Sequence, residues 1–442
     1  MTLGVLTAIL GTREAPLVSG LERSPAGVHV VRRCADLVEL LSAAASGLAR
    51  AVVLSADLQR LDRDALAQLT AVGVAVVGLV EPNDQAGAHR LMNLGVQRVL
   101  PADTPAEEIA QVVSVAVAEL TEAQVARARL GIADPGAAMP AVPAGHRSGP
   151  APSPRPHGQV ISVWGPVGSP GRTTVAITLA AELAACGQET LLIDADTYGA
   201  SVAQSLGLLD ESAGLAAAAR AANQGSLDVG RLGDLAPPVS ERLRVLTGLP
   251  RSRRWPELRA AALDDVWQHA RRLAGWTVID AGFGLETDEE LMFDAAAPRR
   301  HGATLSAIAA ADHVLAVGSA EPIGLQRLLS GLQDLAEMVP SGVPIQVVVT
   351  RVREGAVGGK PDERVRAALE RYAGVRDAVL IPDDRVALDA AMLSGRSLIE
   401  QMPSSPARRP LTELAARLCR QSGAVHPGPG SRRRSGARRS RR

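Results

Sequence analysis

Aromatic side chains make up only 2% of the 442 residues, too few to furnish the stacking platforms that hold single-stranded nucleic acid. Lysine is nearly missing: Lys360 is the only one among 47 lysines and arginines, so wherever a cation is wanted the chain offers arginine. Although 46% of the residues are apolar, no uninterrupted apolar run approaches the roughly 18–20 residues of a membrane span. The opening stretch MTLGVLTAILGTREAP has no basic segment ahead of an apolar one, so a first β-strand is expected there and not a secretory signal. Cys34, Cys186 and Cys419 are odd in number, far apart and without metal-ligand spacing. They fit small buried hydrophobes in a reducing compartment and exclude a disulfide framework. His269, His301 and His313 also lack ligand spacing and are expected as surface or cap residues. These absences point to a cytoplasmic address.

What is present is a repeated α/β pattern, long enough for two or three cores. Residues 1–122 alternate β-rich runs (Val5–Leu10, Val28–Arg33, Ala51–Ser55, Val74–Val80, Arg98–Leu100) with helical ones such as Asp36–Ala45 and Ala86–Leu94. Five βα units imply a doubly wound parallel sheet. The closing stretch Asn93-Leu-Gly-Val-Gln-Arg-Val-Leu-Pro101 resembles the last strand of a response-regulator receiver domain, a smaller flavodoxin-like fold. A working receiver needs an acidic pair after its first strand, a phosphorylatable Asp after its third and a Lys ending its fifth. Here those places read Ile9-Leu-Gly-Thr12, Ser55-Ala-Asp57 and Leu100-Pro101. Asp57 alone cannot assemble that site, so a degenerate receiver-like domain used for contacts is expected. Residues 123–157, dense in Pro, Gly and Ala, read as a linker. Residues 158–420 form a second α/β domain, and 421–442 a disordered tail with seven arginines in its last eleven positions.

The second domain opens with an apolar run, Val160 to Val163, then Trp164-Gly-Pro-Val-Gly-Ser-Pro-Gly-Arg-Thr-Thr174, then the alanine-rich run Val175 to Cys186. Strand, glycine loop and helix in that order aim backbone N–H groups at an anion. The usual phosphate loop, G-x-x-x-x-G-K-[ST], would place glycine at Pro166 and lysine at Arg172; Gly171 and Thr173 fit. Gly168, Ser169, Gly171 and the loop amides would wrap a β-phosphate, Arg172 would supply the cation, and the Thr173 hydroxyl, next to Thr174, would ligate Mg²⁺. Pro166 and Pro170 each remove one N–H from that cradle. Further strands end in acids: Leu192-Ile-Asp-Ala-Asp196, and Val278-Ile-Asp280 followed by Ala-Gly-Phe-Gly284. Asp280 would hold the Mg²⁺ shell, Gly284 would sense a γ-phosphate, and Asp196 could polarise a water.

With Ala303-Thr-Leu305, Ala311-Asp312 and Ile381-Pro-Asp-Asp384, these residues resemble the ParA/MinD group of deviant Walker-A ATPases, closest to the CpaE/TadZ-like branch with its degenerate receiver domain. The resemblance implies a P-loop NTPase fold and ATP with Mg²⁺ as cofactors. Thr173 and Asp280 become the metal residues, and Asp196, Asp280 and Gly284 the catalytic ones. Thr350-Arg351 sits where the family places Asn-Arg near the adenine. It further implies a homodimer on ATP binding, and a role in septum placement, chromosome partitioning or localising a pilus or secretion apparatus. The receiver-like domain would contact a protein partner. The arginine-rich tail would meet DNA or an anionic membrane surface at the inner face of the membrane or on the nucleoid, or simply stay solvated. The family's second lysine, which reaches the partner's phosphates, is here Val167; a trans cation of that kind is worth about 10³–10⁵ in rate. A slow ATPase is therefore expected, with a non-catalytic pseudo-ATPase scaffold as the alternative.

Overall fold

The computed structural model describes residues 3–9, 14–133, 158–168, 170–208, 213–286 and 298–421, without the side chains of 121–133. Ser169, the segment 287–297 and the tail from 422 lie outside the described residues.

The first sheet consists of β1 (Leu3–Ala8), β2 (Val28–Arg33), β3 (Ala51–Ser55), β4 (Ala75–Val80) and β5 (Arg98–Pro101), all parallel in the order β2-β1-β3-β4-β5. That is the flavodoxin-like order. Between and after the strands run α1 (Glu14–Arg23), α2 (Leu37–Ala45), α3 (Arg63–Ala71), α4 (Gln85–Leu94) and α5 (Ala106–Ala133). Successive strand side chains point to opposite faces. Leu6, Val52 and Leu54 therefore pack with Leu40, Leu69 and Leu91 of α2, α3 and α4. Val5, Val53 and Val77 pack with Leu21 of α1 and Ile109 and Val113 of α5 on the other face. Asp36, Asp62 and Asp84 start three of these helices by accepting the N–H groups of Glu39, Ala65 and Gly87.

The second sheet has eight strands in the order β13-β12-β11-β6-β10-β7-β9-β8. They are β6 (Gln159–Trp164), β7 (Thr190–Ala195), β8 (Pro238–Ser240), β9 (Leu243–Leu246), β10 (Trp276–Ala281), β11 (His313–Ser319), β12 (Ile345–Val352) and β13 (Ala378–Pro382). All pairs are parallel except β8 with β9. The helices are α6 (Arg172–Ala185), α7 (Val202–Ser205), α8 (Gly214–Asn223), α9 (Val229–Leu235), α10 (Ala260–Leu273), α11 (Gly302–Ala309), α12 (Pro322–Met338), α13 (Glu354–Val357), α14 (Pro361–Ala373), α15 (Arg385–Ser394), α16 (Leu398–Gln401) and α17 (Arg409–Gln421). β6 lies between β11 and β10, so the connections diverge there, and a ligand crevice is expected beyond its carboxyl end. Alanines make α6 slim enough to be buried from Val175 to Ala184. α17 covers it with Leu411, Leu414, Ala415, Leu418 and Cys419, one helical stripe. Arg408 seals that contact on the buried Glu182, its Nη2 3.1 Å from Oε2.

Three sequence expectations change. α5 runs through Ala133 and so occupies the start of the stretch read as linker; its alanines and arginines favour helix despite Gly131. β8 and β13 were not anticipated, being edge strands of three and five residues, too short to show a period. His269 is buried on α10 and His313 half-buried in β11, whereas His301 does cap α11.

The two sheets meet through their helices. Arg63 of α3 pairs with Asp265 of α10 at 3.1 Å, and Arg259 with Asp64 at 3.0 Å. Asn223 Nδ2 donates to Asp62 at 3.2 Å, and Asn93 Nδ2 donates to the Gly225 carbonyl at 3.2 Å.

Candidate functional site

The sequence-predicted residues converge at the carboxyl edge of the second sheet. β6 ends at Trp164, the loop turns through Gly168 and Gly171, and α6 begins at Arg172. Gly168 (φ 72°) and Gly171 (φ 96°) hold left-handed backbone that an L side chain resists. At Gly171 a Cβ would also press within 3.2 Å of Thr350 Cγ2. Thr174 lies in the first turn of α6, facing a cavity.

Arg172 does not point outward from this cradle. Its guanidinium is largely buried and ion-paired through Nη2 to Asp196 Oδ2, while Nε lies 3.6 Å from Asp280 Oδ1 and Nη1 donates to the Gly165 carbonyl at 3.3 Å. Thr173 Oγ1 donates to Asp280 Oδ2 at 2.6 Å. Asp196 Oδ1 accepts the N–H groups of Tyr198 (2.8 Å) and Gly199 (3.2 Å), fixing the turn after β7.

Strand register brings two of the acids together. Asp280 sits directly across from Asp194 on β7, and both are buried. Burial, reinforced by the Asp280 charge, pushes the Asp194 carboxyl up to about 8. Burial also raises Asp280, to about 6, against the pull of Arg172 and of the Thr173 hydrogen bond. Two carboxylates in one dry site cannot both ionise freely. Asp194 accepts the Asp196 N–H at 3.2 Å and the Val202 N–H at 3.0 Å, so it braces the loop that carries Asp196.

Beside the loop opens a cavity of about 520 Å³, lined by Gly171, Thr174, Thr178, Thr350, Arg351 and Asp383 among others. That volume is in the range of small-molecule sites. Thr350, expected near an adenine, donates instead within the protein: its hydroxyl lies 2.8 Å from the Pro170 carbonyl and 3.1 Å from that of Gly318. Arg351, with φ 56°, lines the cavity and lies 3.9 Å from Glu321.

Gly284 is packed under the His301 ring, leaving no room for a Cβ. Three of the chain's eight aromatic residues, Trp164, Tyr198 and Phe283, meet here. Tyr198 packs tilted against Phe283, ring centroids 4.5 Å apart, and stacks on His301 at 5.8 Å, Arg300 lies 3.8 Å over Tyr198, and Trp164 Nε1 donates to the Phe283 carbonyl at 3.1 Å. Scarcity hid this cluster, since its members stand far apart in the chain. Sequence reasoning also missed Arg327 of α12, which donates to the Val167 carbonyl at 3.3 Å and lies against Gly168. No sequence motif marks it.

The expected Mg²⁺ residues were Thr173 and Asp280. In this arrangement they are bonded to each other, and both strand-end acids share the Arg172 guanidinium. These oxygens are of the kind Mg²⁺ takes, but with the guanidinium paired to both acids the arrangement does not fit a divalent cation as it stands.

A glycine cradle at a helix start, flanked by strand-end acids on a mostly parallel sheet, defines a nucleotide-binding domain of the P-loop NTPase fold. The model of the CobQ/CobB/MinD/ParA nucleotide binding domain family matches residues 161–395, and the chain belongs to that family. Among solved structures it is similar to the septum site-determining protein MinD complexed with Mg-ADP from Pyrococcus horikoshii OT3, at 20% identity over 60% of this chain and 97% of that one, with a TM-score of 0.47. The cell division ATPase MinD of Pyrococcus furiosus gives 20%, 60%, 99% and 0.46 in the same order. A ParA family ATPase from Chlorobium tepidum TLS gives 16%, 58%, 98% and 0.49. No curated protein matches.

Proposed function

We propose that the chain is an ATP-binding positioning protein of the ParA/MinD kind, in the CpaE/TadZ-like branch, with residues 1–122 as its degenerate receiver-like domain. Its work would be septum placement, chromosome partitioning or localisation of a pilus or secretion apparatus. Gly168, Gly171 and the α6 N-terminus would hold the phosphates, and the neighbouring cavity would take the nucleoside. ATP would favour a homodimer, and the first domain would dock a protein partner. The observation that carries this reading is the convergence of the loop, Asp196 and Asp280 beside that cavity.

Calorimetric titration of the intact chain with ATP tests it. Saturable binding that is lost in Gly171→Val is expected; no binding by the intact chain overturns the proposal.

A second reading, a pseudo-ATPase scaffold, is favoured by one specific contact. Asp196, the acid proposed to orient water, is already neutralised by Arg172. Steady-state phosphate release separates the two: turnover that disappears in Asp196→Ala excludes the scaffold.

A further inference from the structure

We infer that the Arg172 guanidinium takes the place of the divalent cation, so that this site binds its nucleoside triphosphate free of metal. The inference rests on the nucleotide-binding reading above and specifies the form of ligand taken.

The guanidinium bridges three strand ends. It reaches Asp196 after β7, Asp280 in β10 and the Gly165 carbonyl after β6. It is largely buried, and an arginine cannot give up its charge at any pH a protein meets. Among the described residues Arg172 Nε and Asp280 Oδ1 have no hydrogen-bond partner, and they lie 3.6 Å apart. Their mutual attraction is what compensates both. A Mg²⁺ ion demands near-octahedral oxygen ligands at about 2.0–2.1 Å and keeps several waters. To enter between these acids it would have to expel a charged side chain from two ion pairs and break the 2.6 Å bond from Thr173 to Asp280.

What remains for the phosphates is metal-independent: the loop amides, the α6 N-terminus and the exposed Arg327 guanidinium beside Gly168. A short lysine ammonium at position 172 could not span the same three strand ends with planar, divergent N–H groups. Replacing lysine by arginine therefore changes the ion requirement as well as the shape of the loop.

The test is titration of the full chain with a fluorescent ATP analogue, once with excess Mg²⁺ and once with EDTA. Affinity that is the same in both is expected. A loss of about tenfold or more in EDTA, some 1.4 kcal/mol, overturns the inference and leaves the nucleotide reading standing. No binding in either buffer overturns both. A second arm uses Mn²⁺ as a paramagnetic probe with the unaltered chain and ATP: no enhancement of water-proton relaxation beyond that of Mn–ATP is expected, and a ternary protein–ATP–Mn²⁺ complex overturns the inference. Arg172→Lys should acquire metal dependence in the EDTA comparison; its remaining indifferent to metal would locate the effect elsewhere and overturn the role given to Arg172.

Discussion

Two sheets in this chain share one plan, parallel strands whose carboxyl ends open into loops before helices, yet their edges have diverged. At the edge of the first sheet lies a crevice of about 30 Å³ between Ile9, Leu17, Ser55 and Leu79, room for no more than a water or two. Its one acid of the receiver pattern, Asp57, is exposed and bonded to Ser55. At the edge of the second sheet two buried aspartates share one guanidinium, with a third, Asp194, in register beside Asp280, next to a cavity of about 520 Å³. Topology alone therefore does not make a site. The second edge is a site because β7 and β10 are adjacent and each ends in acid, so that their charges need a partner.

The largest break in that contrast comes from Arg172→Ala, which leaves Asp196 and Asp280 without a countercharge. A loss of about 3–5 kcal/mol is expected, read from urea denaturation, whereas Asp57→Ala at the other edge should leave the midpoint unmoved. Next, Gly171→Ala forces a left-handed L residue against Thr350 and should cost about 1–2 kcal/mol in the same measurement.

The third prediction concerns pH. Burial pushes the Asp194 carboxyl up to about 8 in the folded chain, from an ordinary aspartate value of 3.8. The folded state therefore binds this proton more tightly, and the stability it contributes is full below about 4 and lost as pH rises towards 8. Between pH 6 and 8.5 the denaturation midpoint should fall more steeply for the wild type than for Asp194→Asn; equal slopes would place the proton elsewhere. The smallest effect belongs to Arg327→Ala. Stability should shift by no more than about 0.5 kcal/mol, while ATP affinity weakens in the calorimeter, which would mark Arg327 as a phosphate contact and not a structural one.

Much of this was legible from sequence because local chemistry wrote it. The strand ends at Asp196 and Asp280, the glycines of the loop and the five strands of the first sheet all follow from short-range patterns of apolar runs and turn residues. What stayed hidden was set by long-range packing. Arg172 reads as a phosphate cation until the fold brings Asp196 and Asp280, separated by 84 positions, onto neighbouring strands. The bond from Thr350 to the Pro170 carbonyl has no sign in the sequence, because it exists only once β12 lies beside β11. Arg327 carried no signal because an exposed helical arginine resembles many others.

The Thr350 hydroxyl joins the carbonyl of Pro170 to that of Gly318, while Pro170 stands two residues before Arg172. Mechanically this is a tie-rod from the floor of the cavity to the arm that grips the acids. One side chain thus ties the cavity wall to the loop that carries Arg172.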